Sequence, residues 1–403
     1  MFKLFGGSKN YAVGIDFGTS AIKIVEISYK SQKMHLENYG WVDLGLLNPA
    51  SVRGETAVSE SQISYNKKLQ KYLERLIKSM KLKSDSAYIS LPGSSGLITV
   101  IDFPDMKEED LENAIRFEAR KYIPISLDEV ALDWEIIGKK TNGNDPKKEN
   151  KEENQGQTEK KNNIWNVELE KLSGKGVNKG NIPDKRENNE ILLVAAPRGE
   201  VIRCGNIVKE SGLKVKNVEL ELFSLARAMV GKDPGCFLIV DIGARMTNII
   251  LVEGGTIKVN RNIEGGGNEI TNVIADSLNI SKQRAEELKK ENKDLLSSRE
   301  MSLVIPVLDM IINESIRIIN AYKSKKGELG RVDGVILSGG SSKLQGIGGY
   351  FNQKTGIQTI VGNPWRKIDY DEKINPFVEK MGNSFSVALG LAFRGVEENN
   401  NKQ

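Results

Sequence analysis

One sixteen-residue pattern occurs twice in this chain and constrains its fold more than any other feature. The first copy is Ala12-Val13-Gly14-Ile15-Asp16-Phe17-Gly18-Thr19-Ser20-Ala21-Ile22-Lys23-Ile24-Val25-Glu26-Ile27. It reads as an apolar strand, a tight turn carrying an acid, a glycine and hydroxyls, and a second apolar strand. The second copy is Phe237-Leu238-Ile239-Val240-Asp241-Ile242-Gly243-Ala244-Arg245-Met246-Thr247-Asn248-Ile249-Ile250-Leu251-Val252, again strand, Asp-x-Gly, hydroxyl residue and strand. A single copy is an ordinary hairpin with a polar turn. Two copies, 225 residues apart from Asp16 to Asp241, imply internal duplication. Two such hairpins facing each other across a cleft clamp the phosphates of one nucleotide, with Asp16 and Asp241 converging near a metal and backbone N–H groups holding the oxygens.

The turn residues suit that chemistry. Gly18 lets the backbone come close to a phosphate, and Thr19 and Ser20 add hydroxyl and N–H donors. Lys23 supplies a point charge, and Asp16 at a strand end is placed to hold Mg2+ through water. A third element agrees: Val335-Ile336-Leu337-Ser338-Gly339-Gly340-Ser341-Ser342-Lys343-Leu344 reads as strand, glycine pair and helix start. Glycines there let an adenosine lie against the backbone near a helix N-terminus. That motif alone is common in α/β proteins.

Length and charge exclude several classes. At 403 residues the chain has material for two or more domains. Its 58 basic and 54 acidic residues nearly balance, which argues against a dedicated nucleic-acid binder. Two cysteines, Cys204 and Cys236, offer neither a disulfide framework nor metal spacing and fit a reducing compartment. The single histidine, His35, argues against histidine catalysis or zinc. No apolar run approaches the roughly 18–20 residues of a membrane span and no signal-peptide pattern opens the chain, so the expectation is a cytoplasmic protein. Phe2, Leu4 and Phe5, beside Lys3 and Lys9, suit a brush against a membrane or a partner, but a frayed terminus is the default reading.

Along the chain, periodicity predicts a strand over Met34–Val42 and an amphipathic helix over Asn66–Met80. Strands follow at Ser86–Leu91 and Leu97–Phe103, joined by the turn-rich Pro92–Gly96. Lys107–Tyr122 reads as a helix capped by Asp105 or its neighbours and ended by Pro124. Val130–Gly138 reads as a strand. From Lys139 to Asn189 the composition turns to Lys, Asn, Glu and Gly with mixed charge, the pattern of a disordered insertion in which Trp165 is the residue to watch. Order resumes with a buried-type strand, Ile191–Pro197, and helices over Gly199–Ser211, with Gly212 as C-cap, and Val218–Val230. Helices are further expected over Asn268–Asn279, Ala285–Asn292, Ile305–Tyr322 and Ser384–Phe393, with a strand at Val332–Leu337. The tail Glu397–Gln403 is polar and carries no amphipathic membrane-binding helix.

With these motifs in order, the chain resembles the actin-like ATPase superfamily: phosphate-1 at Asp16–Lys23, phosphate-2 at Asp241–Thr247 and an adenosine motif at Gly339–Ser341. It is further similar to the PilM family of type IV pilus assembly. That likeness runs through Gly14-Ile15-Asp16-Phe17-Gly18-Thr19-Ser20, Phe103–Leu111, Ile115–Ala119, Tyr122-Ile123-Pro124, Val194-Ala195-Ala196-Pro197, Asp241–Arg245 and Ala388–Ala392. The Lys139–Asn189 insertion departs from the family pattern.

The resemblance implies ATP with Mg2+ as cofactors. Gly18, Thr19, Ser20 and Lys23 would contact phosphates, with Asp16 near the metal; Asp241, Gly243 and Thr247 would form the facing loop; Gly339, Gly340 and Ser341 would sit at the adenosine. Glu286 and Lys289 resemble a pair that touches sugar and base in Hsp70 and FtsA, and their i, i+3 spacing puts them on one helix face. A plain surface ion pair is the competing reading. For the residue that orients the attacking water, Glu221 is the best-placed candidate, with Glu219 as alternative. Strong ATP binding with feeble turnover is what such a relative implies.

The implied fold is two RNase H-like α/β halves around a nucleotide cleft. The expected division is 10–83 with 198–233 and 375–396 as the first half, and 234–262 with 330–374 as the second. The segment 84–197 would be a small extra FtsA-like α/β domain containing the insertion, and 263–329 a mostly helical lobe. The implied function is an ATP-binding cytoplasmic scaffold of the pilus machine, peripheral to the membrane only through partners. It would bind the N-terminal peptide of a PilN-like membrane protein, couple it to motor ATPases and possess the capacity for a homo-oligomer or ring. The rivals are an FtsA-like filament-forming division protein and a small-molecule kinase of the same superfamily.

Overall fold

A computed structural model describes residues 11–44, 60–140, 188–291, 304–327 and 330–400. The amino-terminal Phe2–Lys9 segment, most of the expected insertion with Trp165, and the last three residues lie outside these described residues.

The chain builds two large sheets with the same plan. The first copy of the repeated pattern folds as β1 (Tyr11–Phe17) and β2 (Ala21–Lys30), followed by β3 (Lys33–Asp43), helix α1 (Glu60–Met80) and β4 (Ser86–Leu91). A smaller unit intervenes: β5 (Leu97–Pro104), α2 (Glu108–Ala119), β6 (Val130–Lys140) and β7 (Asn188–Pro197). The chain returns through α3 (Arg198–Glu210), β8 (Lys214–Leu220) and α4 (Glu221–Met229). The second copy forms β9 (Cys236–Ile242) and β10 (Met246–Glu253), then β11 (Thr256–Glu264), α5 (Gly267–Leu278), α6 (Lys282–Lys290), α7 (Ile305–Lys326) and β12 (Gly334–Ser338). The remainder is α8 (Ile347–Thr355), β13 (Thr359–Val361), β14 (Ile368–Asp369), α9 (Asn375–Met381) and α10 (Ser386–Asn400).

The first sheet runs β14-β3-β2-β1-β4-β8 and the second β11-β10-β9-β12-β13. In each, three antiparallel strands are extended by two parallel ones: β1 takes β4 and β4 takes β8, just as β9 takes β12 and β12 takes β13. The duplication seen in sixteen residues therefore extends over five strands of each half.

The small unit is a three-stranded antiparallel sheet, β5-β7-β6. Its central strand explains the continuous apolar run of β7. Leu192, Val194 and Ala196 join the core of the first half, while Ile191, Leu193 and Ala195 pack under α2, as a strand of period two buried on both faces must.

Several expectations are corrected. Ser86–Leu91, placed with the small unit, is an inner strand of the six-stranded sheet, because it pairs in parallel with β1 and β8. Residues 368–369, placed with the second half, pair with β3 in the first. Val218–Leu220 is the end of β8 and not helix; the helix begins at Glu221. Lys139–Lys140 and Asn188–Asn189, given to the insertion, pair with each other as strand. Asp105 does not cap α2; it accepts from the Asn189 amide at 3.1 Å. Past Gly339 the chain forms a 3-10 turn, Gly340–Lys343, and α8 starts only at Ile347. Helix α10 continues into the polar tail, where Arg394 reaches Glu398 one turn on at 2.7 Å.

Candidate nucleotide cleft

The strand ends bring the repeated turns together. Asp16 is buried at the end of β1, 3.3 Å from the Lys23 ammonium on β2 and 3.3 Å from the Ser90 hydroxyl on β4. Asp241 ends β9, opposite Asn248 on β10 and beside Ser338 on β12, whose side chain hydrogen-bonds it. Burial pushes the Asp241 carboxyl up to about 6; Asp16 adds to the rise, and Ser338, Lys23 and Asn248 oppose it. Charges on both turns therefore act within one cleft.

Strand register aligns the two turns residue by residue. Asp16 pairs with Lys23 and Asp241 with Asn248, so the Lys23 position of one half is Asn248 in the other. A Cβ on Gly18 would lie 2.9 Å from the Ala21 carbonyl, and one on Gly243 would lie 2.8 Å from the Met246 carbonyl, the same neighbour in each turn. Thr247 then aligns with Ile22. Both are fully buried, and the Thr247 hydroxyl donates to the Gly265 carbonyl at 2.7 Å. Thr247 thus shapes the Gly265–Gly267 turn and does not present a hydroxyl to the cleft; the residues aligned with Thr19 and Ser20 are Ala244 and Arg245.

Glu221 and Glu219 have opposite fates. Glu219 is fully buried and held by Arg227 at 2.8 Å, Arg394 at 2.6 Å and Ser224 at 2.5 Å. Against the cost of burial, these partners hold its carboxyl down at about 2. It is a structural ion cluster tying α4 to α10, not a cleft acid. Glu221, at the first turn of α4, accepts from the Gly93 N–H at 2.7 Å and the Asn248 amide at 2.9 Å. Burial, then the neighbouring Asp16 and, to a smaller extent, Asp241, push its carboxyl up to about 7, although the Gly93 and Asn248 hydrogen bonds oppose the rise. The change from strand to helix separates the two: Glu219 lies within β8, and Glu221 opens α4 at the cleft.

The residues expected at an adenosine, Gly339, Ser341, Glu286 and Lys289, gather around Ile242, Gly267 and Thr271. Gly339 has φ +83° and sits on the Ile242 backbone, so only glycine fits there. Ser341 and Lys289 both approach Gly267: a Cβ on Gly267 would meet the Ser341 hydroxyl at 2.6 Å and the Lys289 ammonium at 3.2 Å. Lys289 donates to the Gly267 carbonyl and to Thr271, each at 2.8 Å, and pairs with Glu286 at 2.5 Å. With its side chain only 9% exposed, Lys289 is no surface ion pair. Desolvation is the first cause of its lowered pKa. Gly340 follows Gly339 in the 3-10 turn, where an added Cβ would meet nothing within 4 Å.

Sequence reasoning missed Asn248, Thr271 and the Gly265–Gly267 run. The glycine triplet between an expected strand and an expected helix was the available signal; the roles of Asn248 and Thr271 rest on contacts across the sheet and between helices.

The two Asp-tipped sheets, related by duplication and closing on a glycine-lined cleft, define the actin-like ATPase fold. A family model described as "Type IV pilus assembly protein PilM" matches residues 14–151 and 177–396. The chain belongs to the PilM family of type IV pilus assembly proteins. Among solved structures it is similar to a PilM-PilN type IV pilus biogenesis complex, with TM-score 0.68 and 22% identity over 96% of this chain and 98% of that one. It is also similar to the ethanolamine utilization protein EutJ from Carboxydothermus hydrogenoformans, with TM-score 0.50 and 16% identity over 95% and 89% of the two chains. MreB5 of Spiroplasma citri bound to AMPPNP gives TM-score 0.50 and 12% identity, covering 98% of each chain.

Proposed function

We propose that this protein is an ATP-binding scaffold of the type IV pilus machine, docked to the membrane through a PilN-like partner. The observation that carries the reading is the pair of register-matched Asp turns, Asp16 with Gly18 and Asp241 with Gly243, acting electrostatically on one another. The AMPPNP-bound MreB5 relative supports a nucleotide in this cleft. Gly18, Thr19, Ser20, Lys23 and Gly243 would face phosphates, and Gly339, Gly340, Ser341 and Lys289 the adenosine, with Glu286 orienting Lys289.

The donor set fits magnesium. Among the described residues no three acid, histidine or cysteine side chains group into a metal site. Mg2+ bound to ATP needs only one or two carboxylates besides phosphate oxygens and water, which Asp16 and Asp241 offer. Burial is the main cause of the raised Asp241 carboxyl, with the Asp16 charge adding to it, and a cation between the two would offset both. When bound, Mg2+ would neutralise phosphate charge. Glu221 is the acid positioned to orient a water, and its engagement with Gly93 and Asn248 fits slow turnover better than a fast engine.

The partner reading follows the family and the PilM-PilN relative. Strand β6 is an outer strand of the small sheet, and α3 packs beside it with Ile202 40% exposed. An edge strand next to a helix that exposes an isoleucine suits an extended peptide. No helix among the described residues is long and apolar enough to cross a membrane, so attachment through such a partner gives a cytoplasmic, membrane-peripheral protein. Contacts to motor ATPases and a homo-oligomeric ring belong to the same proposal. Titration with a fluorescent ATP analogue and Mg2+ should saturate with one site, and immobilised PilN-like N-terminal peptide should retain the protein. Absence of both overturns the reading.

A further inference from the structure

The turn between β4 and β5 has a counterpart in the second half. Ser90 holds Asp16 as Ser338 holds Asp241, so Pro92–Ser95 occupies the place of the Gly340–Lys343 turn, and Gly93–Ser95 folds as a 3-10 turn as Gly340–Lys343 does. In the second half that turn carries the adenosine motif. In the first half it leads directly into the small three-stranded unit.

Gly93 is gripped from both halves. Its N–H donates to Glu221 on α4 at 2.7 Å, and its carbonyl accepts from Asn262 on β11 at 3.2 Å. A Cβ there would lie 2.9 Å from Leu222 and 3.2 Å from the Asn248 carboxamide oxygen, so the residue fills the gap between the halves. Beyond it, Lys258 of β11 pairs with Glu190 of β7 at 3.4 Å, with both side chains 15% exposed. The small unit is thus tied to the second half at Gly93 and at Glu190, while its inner face shares the core of the first half.

From this geometry we infer that Gly93 is the coupling point through which a nucleotide in the cleft sets the position of the small unit and hence the affinity of its β6 edge for the peptide. Glu221 faces Asp16 and Asp241 and also holds the Gly93 amide, so any ligand drawing Asp16 and Asp241 together acts on that amide. Asn262 holds the carbonyl of the same residue, in the next peptide unit. A change in the spacing of the two halves must either break the Asn262 bond or carry the β4–β5 turn with it. The inference rests on the proposed function for the identity of its two ligands, ATP and the PilN-like peptide.

The test is a binding cycle on the full chain, wild type against Asn262→Ala, with Mg2+-ATP and the PilN-like N-terminal peptide each titrated with and without the other. In the wild type each ligand changes the affinity of the other by the same factor, about fivefold or more. Asn262→Ala binds each ligand alone within about twofold of wild type, and its coupling factor falls towards one. Equal coupling in the two proteins overturns the inference, as does a wild-type factor of one when both ligands bind. A chain that takes up neither ligand fails the proposed function instead. Amide exchange without ligand then decides: Leu97–Pro104 must exchange faster in Asn262→Ala than in wild type, and unchanged exchange overturns the inference.

Discussion

Asp16 and Asp241 are each held at a strand end by a serine from the neighbouring parallel strand, Ser90 in one half and Ser338 in the other. The match continues through Gly18 and Gly243, whose α-carbons face the carbonyl three residues on, an added Cβ lying 2.9 and 2.8 Å from it. Gly243→Ala must therefore push its own turn open. Overpacking of this kind costs about 1–3 kcal/mol. We expect a lower melting temperature and a loss of ATP affinity of about tenfold or more, which corresponds to about 1.4 kcal/mol. Titration with a fluorescent ATP analogue reads the second effect, and unchanged affinity would remove Gly243 from the phosphate site.

Glu221 and Asp241 carry a stability cost that depends on pH. Their carboxyls sit at about 7 and about 6 in the folded protein, above the ordinary 4.5 and 3.8. Between the unfolded and folded values the native state binds more protons than the unfolded chain, so stability falls as pH rises. The penalty is absent below about 4 and complete above about 7. Asp241→Asn and Glu221→Gln should each melt higher than wild type at pH 8 without nucleotide, with the advantage shrinking toward pH 5. Asp241→Asn should meanwhile bind Mg2+-ATP more weakly, the opposition expected when a site is built for a ligand and not for stability. A variant melting at or below wild type at pH 8 would contradict this assignment.

Glu219, two residues earlier, should behave oppositely. Its carboxyl is held at about 2 by Arg227 and Arg394, so its contribution is present above about 4.5 and is lost as pH falls toward 2. Glu219→Ala leaves two guanidiniums facing a vacated pocket, one of them, Arg394, nearly buried. Breaking a buried pair in this way costs about 3–5 kcal/mol. Urea unfolding of the variant should show that loss at pH 7. A cost below about 1 kcal/mol would place the pair in the class of surface bridges.

The contrast between these glutamates marks how far the sequence was legible. The duplicated Asp-x-Gly turns, the Gly339 motif and the order of most elements follow from local pattern, because strand alternation and turn residues act over a few positions. The run Val218–Leu220 deceived because its apolar spacing serves a buried strand and the following helix equally well. Thr247 deceived for a different reason: a hydroxyl in a turn reads as a ligand until register shows it aligned with Ile22. Gly93 was read only as part of a turn, since its partners Glu221 and Asn262 lie 128 and 169 residues away. Contacts of that range depend on how two sheets close, which no window of sequence contains.

Lys23 and Lys289 offer a way to separate the two ends of the cleft. Lys23 stands 3.3 Å from Asp16 at the phosphate turn, whereas Lys289 is buried against Gly267 and Thr271 near Ser341. A point charge on a phosphate matters only while the phosphate is present, so Lys23→Ala should weaken ATP by about tenfold and leave adenosine binding unchanged. Lys289→Ala removes the support of the Gly267 carbonyl and leaves Glu286 without that cation. It should therefore weaken adenosine and ATP by similar factors. Competition of each ligand against a fluorescent ATP analogue gives the two ratios. If Lys289→Ala spared adenosine while losing ATP, the Gly267–Ser341 corner would have to be assigned to the phosphates.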